Sequence, residues 1–231
     1  MDFILDGLST ALRLLAGLDP ETFSAVRATL ATTFMAISAA LALGIPLGFC
    51  LGFFDFPGKR AARAVADTAL ALPTVVIGLI VFAFLSQRGP LGHLELLFSI
   101  PGMAVGLAIL GLPIVITMTA TAVEGIDRRL TETLLTLGAD RRQLAIASLW
   151  EARFPVMLST LTAFGRIVSE VGIAMMVGGN IKWHTRTITT AIAMETGKGE
   201  FAMGIALGIV LMAIAFLVTL SAHWIKRRAA P

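Results

Sequence analysis

The segment Asp127–Pro155, DRRLTETLLTLGADRRQLAIASLWEARFP, packs charged residues into a chain that is otherwise poor in them. Only 14% of the 231 residues are charged and 57% are hydrophobic, whereas soluble domains carry about a quarter charged residues. The chain is therefore a membrane protein, and the segment needs its own explanation. Ile126, Leu130, Leu134 and Leu137 recur at helical spacing, with Arg128, Arg129, Glu132 and Thr136 on other faces, which predicts an amphipathic helix rather than a span. Gly138 interrupts that pattern, and Asp140 followed by Gln143 reads as a capping box opening a second helix that runs to about Trp150. Helix, glycine turn and helix then form an elbow at about 126–150. On composition alone it is either a partner surface or a solvated connector, and spacing must separate the two.

Outward from the elbow lie runs long enough to cross a hydrocarbon core of about 30 Å, which takes about 20 helical residues. They are placed at about 28–54, 68–87, 101–123, 154–178 and 201–225, the fourth interrupted by Arg166 and Glu170. Eleven of the 18 Lys and Arg residues fall at Lys59, Arg60 and Arg63, at Arg128, Arg129, Arg141, Arg142 and Arg153, and at Lys226, Arg227 and Arg228. Five crossings put all three groups on one side, which the positive-inside rule makes the cytoplasm. The N-terminus is then outside and the C-terminus inside. Trp150, Trp183 and Trp224 fall at span ends, where an amphipathic ring prefers the headgroup level. The net charge of +3 follows this topology and gives no ground for a nucleic-acid partner.

Residues 1–18 place Phe3, Ile4, Leu8, Ala11, Leu12 and Leu15 on one helical face, the pattern of a helix lying along the membrane surface. No cleavable signal is evident, and the lone Cys50 excludes an intrachain disulfide. Gly44, Gly48 and Gly52 offer a smooth face for close helix packing. Pro46, Pro73 and Pro113 fall within spans and invite kinks, which would suit a moving gate and are also common in membrane helices. One domain of five spans without internal repeat would make a poor pathway alone, so a homodimer is expected. The fold class is all-α integral membrane, with about five transmembrane helices plus the N-terminal interfacial helix.

Glu132 with Gly138 six residues later, in a cytoplasmic loop before the penultimate span, resembles the EAA loop of the membrane subunits of binding-protein-dependent ABC importers. Thr133 and Leu134 replace the two alanines of that motif, and Glu151 replaces its downstream proline. The segments Phe54–Gly92, FDFPGKRAARAVADTALALPTVVIGLIVFAFLSQRGPLG, Phe164–Ile181, FGRIVSEVGIAMMVGGNI, and Thr185–Leu211, TRTITTAIAMETGKGEFAMGIALGIVL, resemble oxyanion permeases, the tungstate group in particular. The resemblance implies a type I ABC importer permease fold in the inner membrane, with tungstate, molybdate or another oxyanion such as sulfate as cargo. It also implies an ATPase partner and an extracytoplasmic oxyanion-binding protein. Glu132, Gly138, Ala139, Asp140 and Arg141 would then meet the ATPase.

Energy must come from outside the chain. In ETGKGEF, Glu195–Phe201, Gly197 and Lys198 echo a P-loop, but Gly199 stands where Ser or Thr must hold magnesium and Ile192 where the first glycine belongs. His93, His184 and His223 form no metal or hydrolase signature. No cofactor is expected on this chain, ATP and Mg being carried by the partner. A nucleotide-independent transporter would show paired repeats with interrupted helices, which are not evident, and an intramembrane enzyme would have to use Arg166 and Glu170.

Those two residues lie four apart, on one helical face. Ionisable groups at such depth cost about 2.5–3.5 kcal/mol each and face a cavity or a partner. Arg166 and Glu170, with Ser169 beside them, therefore either line a translocation path or its gate, or the charged two form a pair that satisfies itself or a neighbouring helix. Beyond Gly179, Asn180, Thr185 and Arg186 lead a polar set with Lys182, His184, Thr187, Thr189 and Thr190. Such donors suit a tetrahedral dianion, and they equally suit an ordinary juxtamembrane loop.

Overall fold

The computed structural model describes residues 2–17 and 19–229, and no strand occurs among them. Helix α2 (Pro20–Phe53) begins where the Asp19 carboxylate accepts from the Thr22 amide at 2.8 Å and Pro20 presets the first turn. Helix α5 (Ile100–Glu124) starts in the same manner, with Ser99 Oγ accepting from the Gly102 amide. These two helices and α11 (Phe201–Ala229) are each long and apolar enough to cross a bilayer. Their outward residues include Phe34, Leu43, Met212, Phe216 and Leu217, all more than half exposed. In water such a surface would drive aggregation; in lipid it is solvated.

Helix α5 is the axis of the bundle. It packs against α2, α3 (Lys59–Ala69), α4 (Thr74–Leu85), α8 (Arg153–Val168) and α9 (Gly172–Gly178). Its closest partner is α2, and the glycine face is the reason. A Cβ at Gly44 would stand 2.8 Å from the Val115 side chain, at Gly48 2.6 Å from the Ile116 carbonyl, and at Gly52 2.7 Å from the Ala120 carbonyl. Without lipid-excluding hydrophobic force between helices, such backbone approach supplies the packing that holds them. Beside this seam Ile77, Val81, Leu107, Leu110, Ile167, Ile173 and Val177 form the main core.

Two of the predicted spans are broken. In 68–87 the chain bends by 97° between α3 and α4, because Pro73 drives Leu72 out of the helical region and caps α4 rather than kinking it. Helix α4 keeps 12 residues, about 18 Å at 1.5 Å per residue, and α3 turns aside as a separate basic helix. It is tied to the end of α5 by Lys59 and Arg63, which lie 3.7 and 3.5 Å from the Glu124 carboxylate. In 154–178 the chain bends by 60° between α8 and α9. The other two prolines do not interrupt their helices: Pro46 lies inside α2 and Pro113 inside α5.

Helix α1 (Asp2–Ala16) packs along α11. A Cβ on Gly7 would lie 2.5 Å from the Ile205 side chain, so the missing side chain lets α11 pack against the α1 backbone. Of its predicted apolar face, Leu8 is half exposed; residues 1 and 18 and the side chains of Phe3, Ile4, Ala11, Leu12 and Leu15 lie outside the described residues, as do those of Lys226, Arg227 and Arg228. Helix α10 (Ile188–Gly197) sits between α2 and α11 around Ala25, Ile188, Ala191, Leu207 and Val210.

Candidate functional site

The charged segment folds as an elbow of α6 (Arg128–Thr136) and α7 (Arg141–Glu151). Asp127 caps α6, and the capping box is complete: Asp140 Oδ1 accepts from the Gln143 amide at 2.7 Å, and Gln143 Oε1 accepts from the Asp140 amide at 2.9 Å. Gly138 has φ +83°, the left-handed conformation that closes a helix at little strain only for glycine. Glu132, Asp140 and Arg141 are exposed and Ala139 half-buried. Leu130 and Leu134 are half-buried, but Leu137 is 77% exposed, because it lies past the last helical turn of α6. With Leu135, Ile146, Leu149 and Trp150 it gives the elbow an uncovered apolar surface. Helical periodicity hid this surface, since it assigns such residues to a core.

A second arrangement lies at the α8–α9 break. On α8 the exposed residues Leu158, Thr162, Gly165, Arg166 and Ser169 share one face, while Ser159, Ala163 and Ile167 are buried on the other. Arg166 Nη1 donates to Glu170 Oε2 at 2.9 Å. Glu170 is 5% exposed and Arg166 42%. The second carboxylate oxygen, Oε1, accepts from the amides of Gly172 and Ile173 at 3.0 and 3.3 Å. It thereby satisfies donors that the 60° bend would orphan at the start of α9. Thr189 Oγ1 donates to the Glu170 carbonyl at 3.1 Å, and the Ile188 amide donates to Thr29 Oγ1 at 2.9 Å. The break is thus fastened to α10 and, through it, to α2. Arg166 makes no other bond among the described residues, which leaves its Nε and Nη2 donors unused on a side chain that is 42% exposed.

The remaining predicted residues lie at the end of the molecule where α2 begins. Thr185 is fully buried and closes its own loop, donating to the Gly178 carbonyl and accepting from the Ile181 amide at 3.1 Å. A path cannot be lined by a hydroxyl enclosed in this way, so Thr185 is a loop fastener. Arg186 and Lys182 each lie 2.7 Å from one oxygen of Glu21, and Asn180 Nδ2 donates to Met194 Sδ. Lys182, Arg186 and Glu21 border a cavity of about 440 Å³ shared with Asp19, Glu195 and Lys198, whose mixed charges offer an anion no net attraction. Thr187, Thr189 and Thr190 are buried and bonded to one another. Sequence reasoning missed Thr162, which helical spacing from Arg166 would have found, and Glu21, which lies 165 residues from Arg186 and carried no signal.

The family profile described as the binding-protein-dependent transport system inner membrane component matches residues 44–231. This chain belongs to that family. Among the permease's relatives, the tungstate uptake system permease protein TupB of Campylobacter jejuni is 46% identical over 227 residues, covering 98% of this chain and 95% of that one. TupB of Peptoclostridium acidaminophilum is 36% identical, covering 94% and 96%. The molybdenum transport system permease protein ModB of Escherichia coli is 29% identical, covering 90% and 95%. The inward-facing MetNI methionine ABC transporter superposes with a TM-score of 0.73 at 19% identity, covering 92% of this permease and 99% of the other chain. A bacterial alginate ABC transporter in complex with its periplasmic protein gives a TM-score of 0.76 at 18% identity, covering 96% and 86%. The fold is that of the type I importer permeases, and the family works in the inner membrane with an ATPase and a periplasmic binding protein.

Proposed function

We propose that this permease imports tungstate, with molybdate as the alternative cargo, as a homodimer joined to two ATPase subunits and an extracytoplasmic oxyanion-binding protein. The observation that carries this reading is the 46% identity to a tungstate uptake permease over nearly the whole of both chains. The N-terminus lies outside and the C-terminus in the cytoplasm, consistent with the basic elbow and the basic helix α3 sharing one side. ATP and Mg are bound by the ATPase. Its closure pushes on the elbow at Glu132, Gly138, Ala139, Asp140 and Arg141, with the exposed leucines and Trp150 filling the contact. The two bundles rock, and the cavity between them opens alternately to each side.

The cargo passes along the α8 face. A membrane helix that exposes Thr162, Arg166 and Ser169 on one side cannot give that side to lipid, and the space between two copies is the remaining place for it. Glu170 sits behind Arg166 in that lining, and Asn180 and Arg186 lie at the outer mouth. Radiolabelled tungstate uptake into proteoliposomes holding permease, ATPase and binding protein checks the whole. ATP-dependent accumulation that stops when either partner is omitted is expected. Uptake by the permease alone without ATP would replace this reading with that of a secondary transporter, and uptake of sulfate in preference to tungstate would replace the cargo.

A further inference from the structure

We infer that Glu170 is a built-in competitor of the cargo, a specificity and release residue that keeps Arg166 from holding an oxyanion tightly. The inference rests on the path reading above. Arg166 offers free Nε–H and Nη2–H donors to the exposed face of α8, with Ser169 one turn away and open space at Gly165. Guanidinium and hydroxyl donors match a tetrahedral dianion, and the Ser169 hydroxyl, now on the Gly165 carbonyl at 2.8 Å, can rotate toward it.

An arginine left bare at this depth would be a trap. Two copies would place two positive charges beside the path, enough to retain a dianion or any abundant small anion. The carboxylate 2.9 Å away cancels that charge while the path is empty. It is also fixed: Oε1 is anchored by two α9 amides, and the backbone carbonyl is held by Thr189. Glu170 therefore remains in place when cargo arrives and reclaims Arg166 as cargo leaves. A passing dianion finds donors with no net attraction, which is what rapid passage requires, since conduction needs binding weak enough to leave.

Glu170→Gln separates charge from anchoring, because the amide oxygen still accepts from the Gly172 and Ile173 amides. The measurement is retention of labelled tungstate and molybdate by the purified permease–ATPase complex without binding protein, beside uptake by the full system. Wild type should retain little and transport fully. Glu170→Gln should retain at least about tenfold more, the scale of removing one opposite charge at this distance, and transport more slowly. Adding Arg166→Gln should abolish the extra retention. Should Glu170→Gln fail to assemble, Glu170→Asp, which draws the charge back by one methylene, should raise retention by a smaller factor. Retention equal to wild type in the assembled variant, or unchanged by the second substitution, overturns the inference. A wild-type system that carries a different tetrahedral oxyanion would displace the proposed cargo and leave this test to be run with that anion.

Discussion

Gly138 shows how one residue's backbone shapes the elbow that is proposed to meet the ATPase. With φ +83° and nothing within 4 Å of where a Cβ would be, its requirement inside this chain is conformational and not steric. Gly138→Ala should cost about 1–2 kcal/mol of left-handed strain and leave the ATPase bound. Gly138→Trp adds bulk where the ATPase would press, so ATP hydrolysis stimulated by the binding protein should fall to the unstimulated level. Hydrolysis assays on both variants check this, and normal stimulation with Trp would remove Gly138 from the contact. The glycine turn and its capping box were legible because they are local features. Thr185 was misread for the same reason: a threonine in a polar loop looks available until the fold encloses it.

Among elements, the α2–α5 seam and the α8 face make opposite demands on glycine. A β-branched residue at Gly48 would press on the Ile116 carbonyl and the Thr119 side chain, at 2.6 and 2.8 Å for the Cβ alone. Overpacking of this kind costs about 1–3 kcal/mol. Gly48→Val should therefore lower the unfolding temperature of the purified permease. Gly165→Ala meets nothing within 4 Å and should hold or raise it, since alanine is favoured over glycine in a helix by about 1 kcal/mol. Equal melting of the two variants would show that the seam is looser than the structure has it. Spacing revealed the glycine face of α2, but that α5 covers it is a tertiary fact. The two breaks were harder to read: Pro73 was visible, whereas the bend at Glu170 depends on a side chain taking the place of helical acceptors.

For the whole molecule, orientation is the property on which the coupling scheme depends. With Cys50 replaced by alanine, Trp183→Cys and Thr136→Cys place exposed thiols on the loop before α10 and on the elbow. An impermeant thiol reagent applied to intact spheroplasts should label the first, and the second only after lysis. The reverse pattern would invert the topology and detach the elbow from any cytoplasmic motor. The sequence by itself determined that the chain crosses a membrane, which end of the bundle is basic, and where the elbow lies, because hydropathy, charge placement and capping act over a few helical turns. The tertiary structure decided which buried charges are paired, that α1 lies against α11, and that one face of α8 is left polar and open. Those outcomes depend on which helix covers which face, and contacts between residues as distant as Glu21 and Arg186 leave no trace in local pattern.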